Sequence, residues 1–325
     1  MECTARTVVS VVIPCYFSEA TIAKVVHQTR DELVKKFFDY EFILVNDGST
    51  DRTFREIETL CREDHKVVGI DFAKNSGQHS AIIAGLNYAS GDLIMVMDDD
   101  LQTHPSQCLK LIEAMDGGYD VVFACYPEHK EAWWRRLGSL FTVWSMRVLT
   151  QRPKGIVASS FFVMRKYIAE EIIRYRGPYV YIQGLIFRST WKIGNVEVRH
   201  FERESGRSGY TFKTLLRLWS TVLGFSLLPL RLCSAIGMLM GGGGIVGAIF
   251  LVVQRLLNED MQLGWSSLMV AVLICSGAIM VFMGLIGEYL GRLFMTINNA
   301  PQYVKKTLID ERVHEGAGEG HVELR

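Results

Sequence analysis

The chain has 325 residues, enough for one sizeable soluble domain and a membrane segment. It carries 35 basic and 35 acidic residues, a balance that argues against nucleic acid as an electrostatic partner. Its seven cysteines are dispersed without a Cys-x-x-Cys pair, which indicates reduced thiols in a cytosolic domain. The N-terminus has no basic segment followed by an apolar one, so no secretory signal is predicted.

Apolar runs alternate with helix-like segments through the first 124 residues. The predicted strands are residues 8–13, 42–45, 67–72, 93–97 and 119–124. Helices are predicted at 18–38, 51–61 and 78–88, and another begins at His104-Pro105. Short apolar runs separated by helices are typical of a parallel sheet buried on both faces. The sequence therefore predicts an α/β domain over residues 1–210.

Two later segments have amphipathic character. In residues 132–160, tryptophans and leucines recur at helical spacing, which favours a core face and leaves a face on lipid headgroups open. Residues 211–228 combine Lys213 and Arg217 with leucines and Trp219. That pattern predicts a juxtamembrane amphipathic helix over residues 211–230, lying along the membrane surface.

Two long uncharged stretches follow. Twenty-three residues separate Arg231 from Arg255, and 27 separate Asp260 from Glu288. Each is long enough to cross a hydrocarbon core of ~30 Å as a helix, so two transmembrane helices are predicted within residues 231–292. The first stretch is rich in glycine, which permits close helix packing in lipid and leaves a homo-oligomer open.

The distribution of basic residues predicts the orientation of these helices. Basic side chains flank the pair on its outer sides, whereas the connection 254–264 holds Arg255 together with Glu259 and Asp260. The positive-inside rule therefore places both termini and the soluble domain in the cytosol, on the plasma membrane of the cell. Residues 293–325 are predicted as a cytosolic tail, with disorder over the Gly- and charge-rich 311–325.

Three consecutive carboxylates, Asp98-Asp99-Asp100, follow the fourth predicted strand. An acidic triplet alone is usually a solvated turn. Ligand sites of open α/β sheets, however, lie outside the carboxyl ends of the strands, and adjacent carboxylates repel one another unless a cation separates them. Hard oxygen ligands at this position suit Mg²⁺ or Mn²⁺, which in turn would bridge a diphosphate.

Three further loops are expected at the same sheet edge. Residues 14–19 follow the first strand, Asn46-Asp47-Gly48-Ser49 follows the second, and residues 75–79 follow the third. In the last of these, Gly77 and the helix beginning at Gln78 could face a phosphate. No single loop is specific, since Asp-Gly-Ser alone is a common turn. Four aligned loops together predict a nucleotide site.

A basic loop lies before the predicted juxtamembrane helix. It contains Arg203, Arg207, Ser208 and Tyr210, with Lys213 beyond it. Guanidinium groups and hydroxyls in a Gly-containing loop suit a phosphate at the bilayer surface. Attraction of the same loop to anionic lipid, worth about 1 kcal/mol per basic residue, is the competing interpretation.

These motifs, taken in order, resemble one family through about residue 306. The matching segments include Val11-Val12-Ile13-Pro14, Val45–Asp51, Asn75–Gly85, Asp98–Gln102, Arg203–Tyr210 and Gly287–Arg292. The chain resembles the membrane-bound polyprenyl-phosphate glycosyltransferases, inverting family-2 enzymes with a GT-A fold. This resemblance implies transfer of a sugar from a nucleotide-sugar to a polyprenyl phosphate such as undecaprenyl phosphate, at the cytosolic membrane face.

The resemblance also implies roles for individual residues. Asp98, Asp100 and Gln102 would hold Mg²⁺ or Mn²⁺, and catalysis is expected to depend on Asp98, Asp100 and Arg203. The nucleotide-sugar site is expected to comprise Pro14, Tyr16, Glu19, Asn46, Asp47, Gly77, Gln78 and Asp99. The acceptor phosphate is expected at Arg203, Arg207, Ser208, Tyr210 and Lys213.

The chain departs from the family pattern at two places. Phe17-Ser18 stands where many members have Asn after the tyrosine of the first loop, and Ile156 lies near a position where an Asp is usual. The second departure leaves open a glycosyltransferase that acts on a lipid-linked sugar. It also leaves open a non-catalytic nucleotide-sugar-binding partner of a membrane assembly. Processive synthesis is disfavoured, because no Gln-x-x-Arg-Trp sequence is present.

Overall fold

The computed structural model describes residues 6–101, 105–126, 152–198, 228–257 and 264–312. The chain divides into two compact units. One comprises residues 1–210 together with 301–325, and the other comprises residues 211–300. The soluble domain, predicted as residues 1–210, therefore also includes residues from 301 onward, which follow the two predicted transmembrane helices in the chain.

An eight-stranded sheet forms the centre of the first unit, as far as the described residues show. Its spatial order is β7-β5-β6-β4-β1-β2-β3-β8. The strands are β1 Val8–Cys15, β2 Asp39–Asn46, β3 Val67–Phe72, β4 Leu93–Val96, β5 Val121–Cys125, β6 Phe162–Arg165, β7 Ile193–Glu197 and β8 Lys305–Ile309. The first five correspond to the five strands predicted from the sequence.

The sheet is mostly parallel, which confirms the predicted α/β fold class. β1 pairs in parallel with β2 and β4, β2 with β3, and β5 with β7. β6 runs antiparallel to both of its neighbours, and β8 runs antiparallel to β3 at the sheet edge. Neither of these two antiparallel strands was predicted.

Helices cover both faces of the sheet. They are α1 Ile22–Lys35, α2 Thr53–Glu63, α3 Gln78–Leu86, α4 Cys108–Ala114, α5 Lys166–Ile172 and α6 Ile182–Ser189. Alternate side chains of β1 show the two layers. Val9, Val11 and Ile13 belong to the core shared with α1, α2 and α4. Val12 lies against α3, where a Cβ on Gly85 would come within 2.4 Å of its side chain.

The predicted helix 18–38 begins later than expected, at Ile22. The residues before it are held in a loop, because the Ser18 amide donates to Thr53 Oγ1 at 2.8 Å and the Ser18 hydroxyl donates to Asp99. Phe17 has a φ of 57°, a left-handed conformation that a helix does not contain. Residues 18–21, which were predicted as the first four residues of the helix, therefore belong to the loop after β1.

The second unit contains two long helices, α7 Leu228–Leu257 and α8 Trp265–Ile297. Within the described residues, one stretch is long and apolar enough to cross a membrane, Ile274–Ile297 with a mean hydropathy of 1.6. Most of the predicted juxtamembrane helix 211–230 and the predicted connection lie outside the described residues. α8 extends to Ile297, beyond the predicted end at residue 292.

The segment after α8 returns to the sheet. Residues 293–325 were predicted as a tail, yet β8 pairs with β3 from Gly69 to Phe72. Beyond it, Arg312 donates to the buried Glu41 at 2.5 Å and to the Tyr88 carbonyl at 2.8 Å. The alternation in Lys-Lys-Thr-Leu-Ile is too weak to predict an edge strand without its partner.

Candidate active site

A cavity of about 430 Å³ opens at the carboxyl ends of the parallel strands. Its walls come from the loops that follow β1, β2, β3 and β4, together with one residue that precedes β6. The lining residues are Pro14, Cys15, Tyr16, Asp47, Asn75, Gly77, Gln78, Asp98, Asp99, Asp100 and Ser160. This volume is within the range of small-molecule sites, and its position is the one where open α/β sheets bind ligands.

Asp98 lies against two neutral hydrogen-bond donors. Its Oδ1 accepts from Gln78 Nε2 at 2.7 Å, and its Oδ2 accepts from the Ser160 hydroxyl. Burial raises the pKa of Asp98 to about 6, the bond from Ser160 opposes this shift, and the neighbouring charges of Asp100 and Asp99 add to it. The environment of Asp98 therefore favours either a proton or a cation at its carboxylate.

Asp99 contacts the loop after β1, whereas Asp98 contacts the start of α3 and the segment before β6. The Asp99 carboxylate accepts from the Tyr16 amide at 3.0 Å and from the Ser18 hydroxyl. Burial raises the pKa of Asp99, and these two hydrogen bonds oppose the shift. Asp99 thus orders the loop after β1, and with it the position of the exposed Tyr16 ring at the cavity.

Asp98 and Asp100 offer the oxygen ligands that a divalent ion needs. Among the residues that the structure describes, no cluster of three His, Cys, Asp or Glu side chains is arranged to hold a metal. Magnesium usually retains water and binds through one or two carboxylates together with substrate phosphates. The half-buried carboxylate of Asp98 with its raised pKa, beside the carboxylate of Asp100 in the cavity wall, fits that mode of binding.

Asp47 organises the loop that precedes α3. Its two oxygens accept from the amides of Ser76 at 2.6 Å and Gly77 at 2.9 Å. Burial raises the pKa of Asp47, and these two amides oppose the shift. The Gly77 amide, which was expected to face a phosphate, donates to Asp47 instead, whereas a phosphate at the start of α3 stays a prediction. Gly77 and Gln78 still line the cavity.

The cavity brings together most of the predicted donor-site residues. Pro14, Tyr16, Asp47, Gly77, Gln78, Asp98, Asp99 and Asp100 all line it. Glu19 does not; it accepts from the Arg52 amide at 2.9 Å. Asn46 is also absent from the wall, being buried with its amide directed to Asp71. Gln102, Arg203, Arg207, Ser208, Tyr210 and Lys213 lie outside the described residues.

Ser160 is a cavity residue that the sequence analysis missed. It reaches Asp98 from the segment before β6, whereas Ile156 is not part of the wall. Asn195 holds this segment in place, since its side chain accepts from the Val157 amide at 2.8 Å and donates to the Val157 carbonyl at 2.7 Å. A serine therefore faces the acidic cluster from the segment in which an acid was expected.

Residues 10–173 match the Glycosyl transferase family 2 profile. The chain belongs to glycosyl transferase family 2. Residues 228–293 of this family-2 chain match the GtrB C-terminal hairpin, which contains α7 and most of α8. The combination confirms the resemblance to membrane-bound polyprenyl-phosphate glycosyltransferases.

Two relatives of this family-2 glycosyltransferase extend over nearly its whole length. Undecaprenyl-phosphate 4-deoxy-4-formamido-L-arabinose transferase of Proteus mirabilis (strain HI4320) is 33% identical over 299 residues, covering 91% of this chain and 92% of the relative. The uncharacterized glycosyltransferase YkcC of Bacillus subtilis (strain 168) is 32% identical over 297 residues, with the same coverage.

Solved structures agree with the fold of this family-2 chain. Glucosyl-3-phosphoglycerate synthase from Mycobacterium tuberculosis, crystallised with Mn²⁺, UDP-glucose and phosphoglyceric acid, superposes with a TM-score of 0.50 and 21% identity. The match covers 68% of this chain and 80% of the synthase. At this identity the likeness concerns the fold alone.

Proposed function

We propose that this glycosyltransferase moves one sugar, with inversion, from a nucleotide-sugar to a polyprenyl phosphate at the cytosolic face of the membrane. The observation that carries the proposal is the acidic cavity at the carboxyl edge of the sheet, in a chain that continues into a GtrB-type hairpin. The transferase from Proteus mirabilis, named for undecaprenyl phosphate, supports the acceptor class.

The donor diphosphate is proposed to bind at Asp98 and Asp100 through Mg²⁺ or Mn²⁺, with Gln102 as a further ligand. Such an ion supplies positive charge that stabilises the departing nucleoside diphosphate. The mycobacterial synthase crystallised with Mn²⁺ and UDP-glucose supports this class of donor and ion. Gln78 and Ser160 hold Asp98 in place, so its carboxylate needs little reorganisation on binding.

The nucleoside is proposed to lie along the loops after β1 and β2, beside Pro14, Tyr16 and Asp47. Tyr16 exposes half of its surface there and makes an edge-to-face contact with Phe17 at 4.5 Å between ring centroids. An exposed aromatic face at a cavity rim suits a nucleobase, since every base offers a π-face. Asp99 holds this loop by accepting the Tyr16 amide.

The acceptor phosphate is proposed to bind at Arg203, Arg207, Ser208, Tyr210 and Lys213. A phosphate monoester has a second pKa near 6, so it is already anionic at neutral pH and can attack without a general base. A sugar hydroxyl would need one. Among the described residues that line the cavity, the segment before β6 contributes a serine rather than an acid. This favours the phosphate over a lipid-linked sugar as the nucleophile.

Membranes containing the protein, incubated with labelled nucleotide-sugars and undecaprenyl phosphate, provide the test. One donor should yield a glycolipid in the presence of Mg²⁺ or Mn²⁺, and chelation should abolish its formation. Asp100→Asn should lose the product, while the matched variant Asp116→Asn, an exposed acid before β5, should retain it. Product formed only with a glycolipid acceptor would contradict the proposal, as would failure of every donor.

A further inference from the structure

Asp71 is a buried acid immediately outside the cavity. It lies near the end of β3, in register with Asn46 of β2, and it is 5% exposed. Its Oδ1 accepts from Asn46 Nδ2 at 2.7 Å, and its Oδ2 lies 3.4 Å from Lys306 Nζ. A buried carboxylate is stable only when it is paired and hydrogen-bonded. Asp71 therefore connects the end of β2 to β8.

Lys306 reaches Asp71 because β8 contains a bulge. Thr307 pairs with Asp71 and Lys305 pairs with Phe72, which leaves Lys306 as the extra residue between them. A bulge of this kind redirects a side chain that regular alternation would aim elsewhere. Lys305, its neighbour, donates instead to the Tyr88 hydroxyl at 2.7 Å.

The charge on Asp71 fixes the orientation of the Asn46 amide. A carboxylate can only accept, so Asn46 presents Nδ2 to Asp71 and keeps Oδ1 for the Ser49 amide at 3.3 Å. Ser49 in turn accepts the Phe17 amide on its hydroxyl at 3.1 Å. The turn fixed in this way carries Asp47, and it joins the loop after β2 to the loop after β1.

This turn has little room to move. Gly48 has a φ of 67°, and a Cβ there would come within 2.6 Å of the backbone of Lys74 and Asn75. The loops after β2 and β3 are therefore in backbone contact. A change in the Asn46 amide would be transmitted to the cavity wall at Asp47 rather than absorbed by a flexible loop.

The strand that supplies Lys306 follows α8 closely. Residues 298–304 separate the end of α8 at Ile297 from the start of β8 at Lys305. This short connection is itself fixed, since Gln302 donates to the Tyr175 and Gly177 carbonyls, and Tyr303 stacks on Phe72 with ring centroids 4.9 Å apart. The segment that leaves the apolar hairpin thus contributes directly to the support behind the cavity.

We infer that Asp71 is a positioning residue for the nucleotide-sugar site, held by Lys306 of the strand that follows the hairpin. It acts by orienting Asn46, which places the turn carrying Asp47. The inference rests on the proposed function, because it takes the cavity as the donor site. It adds that donor affinity depends on β8, a strand after the hairpin, none of whose residues lines the cavity.

The test measures nucleotide binding separately from turnover. Full-length protein in detergent is titrated calorimetrically with UDP, GDP, CDP and ADP in the presence of Mn²⁺, and the tightest ligand is then used for each variant. Asp71→Asn removes the charge and allows the Asn46 side-chain amide to rotate by about 180°. The Kd of this variant for the nucleotide should therefore rise about tenfold. Lys306→Gln should raise it about threefold, because its side chain is largely exposed. The double variant should match Asp71→Asn.

Arg312→Gln provides the matched control. It loosens the same terminal segment at Glu41, near the other end of β2, and should lower the Tm while leaving the Kd unchanged. In the two test variants the KM for the acceptor should remain that of the wild type. A merely structural role would lower the Tm in all three variants without a selective loss of nucleotide affinity.

Three outcomes would overturn the inference. If the wild type binds a nucleotide and Asp71→Asn binds it with the same Kd, Asp71 does not position the site, and the proposed function survives. If the Kd rises equally in Arg312→Gln, Asp71 again does not position the site selectively, and the proposed function again survives. If no nucleotide binds the wild type with Mn²⁺, the proposed function fails, and this inference fails with it.

Discussion

Two acids at opposite ends of the parallel strands, the buried Glu41 and the half-buried Asp98, have different surroundings. Glu41, near the start of β2, accepts from the Ser10 hydroxyl at 2.5 Å and from the Ser90 amide and hydroxyl at 2.6 and 2.9 Å. It also accepts from the Gly91 amide at 3.2 Å and from Arg312 at 2.5 Å. Although burial opposes the shift, these donors and the Arg312 charge lower the pKa of Glu41.

Asp98, at the carboxyl edge, has fewer donors and two acidic neighbours. Among the described residues its hydrogen-bond donors are Gln78 and Ser160, both neutral, and Asp99 and Asp100 follow it directly in the chain. Its pKa is raised to about 6, mainly by burial. A carboxyl group therefore holds its proton more tightly at the carboxyl ends of the strands, at Asp98, and loses it more readily near their amino ends, at Glu41.

Under the proposed function, the difference separates a structural acid, Glu41, from a ligand-binding one, Asp98. Glu41 has its negative charge balanced within the protein, so it holds β1, β2 and the Arg312 segment together. Asp98 lies in a cavity without a matching positive charge among its described contacts, and a site of this kind gains from binding a cation. The contrast supports the proposal that Asp98, unlike the buried Glu41, binds a ligand through its charge.

The largest expected effect is on catalysis at Asp98. Asp98→Asn keeps the shape of the side chain and removes the charge, so activity should fall by about 10³-fold, as when a transition-state charge loses its stabilisation. The Tm should stay level or rise, because a buried charge is removed. Glycolipid formation and the Tm are measured on the same preparation. Activity within tenfold of wild type would remove Asp98 from the ion site.

The second expected effect is on stability at Glu41. Glu41→Gln leaves Arg312 without its buried partner and should cost about 3 kcal/mol of unfolding free energy, the usual result of breaking a buried ion pair. Turnover per folded molecule should be unchanged. Chemical denaturation and activity measured at the same protein concentration check both statements. A loss of activity without a loss of stability would mean that the two acids do not differ in role.

Runs of apolar residues in the sequence predicted the first half of the sheet, strands β1 to β5. The five strands from β1 to β5 and the helices between them were visible because each of these five strands is a mainly buried apolar run. The parallel strand β7 was not predicted, since Ile-Gly-Asn-Val-Glu is only partly buried and has few apolar residues. β6 and β8 are short antiparallel strands, and their pairing depends on partners distant in the sequence, such as β3 for β8. Their residues carry too little periodicity to reveal that pairing.

The candidate site was predictable to a similar extent. Asp98, Asp47 and Tyr16 follow predicted strands, and the rule that ligands lie beyond the carboxyl ends located them. Ser160 could not be found in that way, because it precedes its strand and the strand is antiparallel. Asn46 was assigned to the cavity, yet its amide is directed to Asp71, since the side chain of a strand residue can face a neighbouring strand instead of the ligand.

The smallest expected effect is a pH dependence that has opposite signs at the two acids. Glu41 has a lowered pKa, so its stabilising contribution is present above its ordinary pKa of 4.5 and is lost as the pH falls below it. Asp98 has a raised pKa. Without an ion, its contribution is greatest below its ordinary value of 3.8 and is lost as the pH rises towards about 6.

The Tm measured from about pH 3 to pH 8 should separate these two contributions. Asp98→Asn should flatten the change between pH 4 and pH 6 by roughly 3 °C, and Glu41→Gln should flatten the decline on the more acidic side. Added Mn²⁺ should raise the Tm of the wild type increasingly as the pH passes 6, since the ion requires the deprotonated Asp98, and it should have no such effect on Asp98→Asn. If Mn²⁺ stabilises the protein as much at pH 5 as above pH 6, the ion binds at a site other than Asp98. The contrast between Glu41 and Asp98 would then concern stability alone.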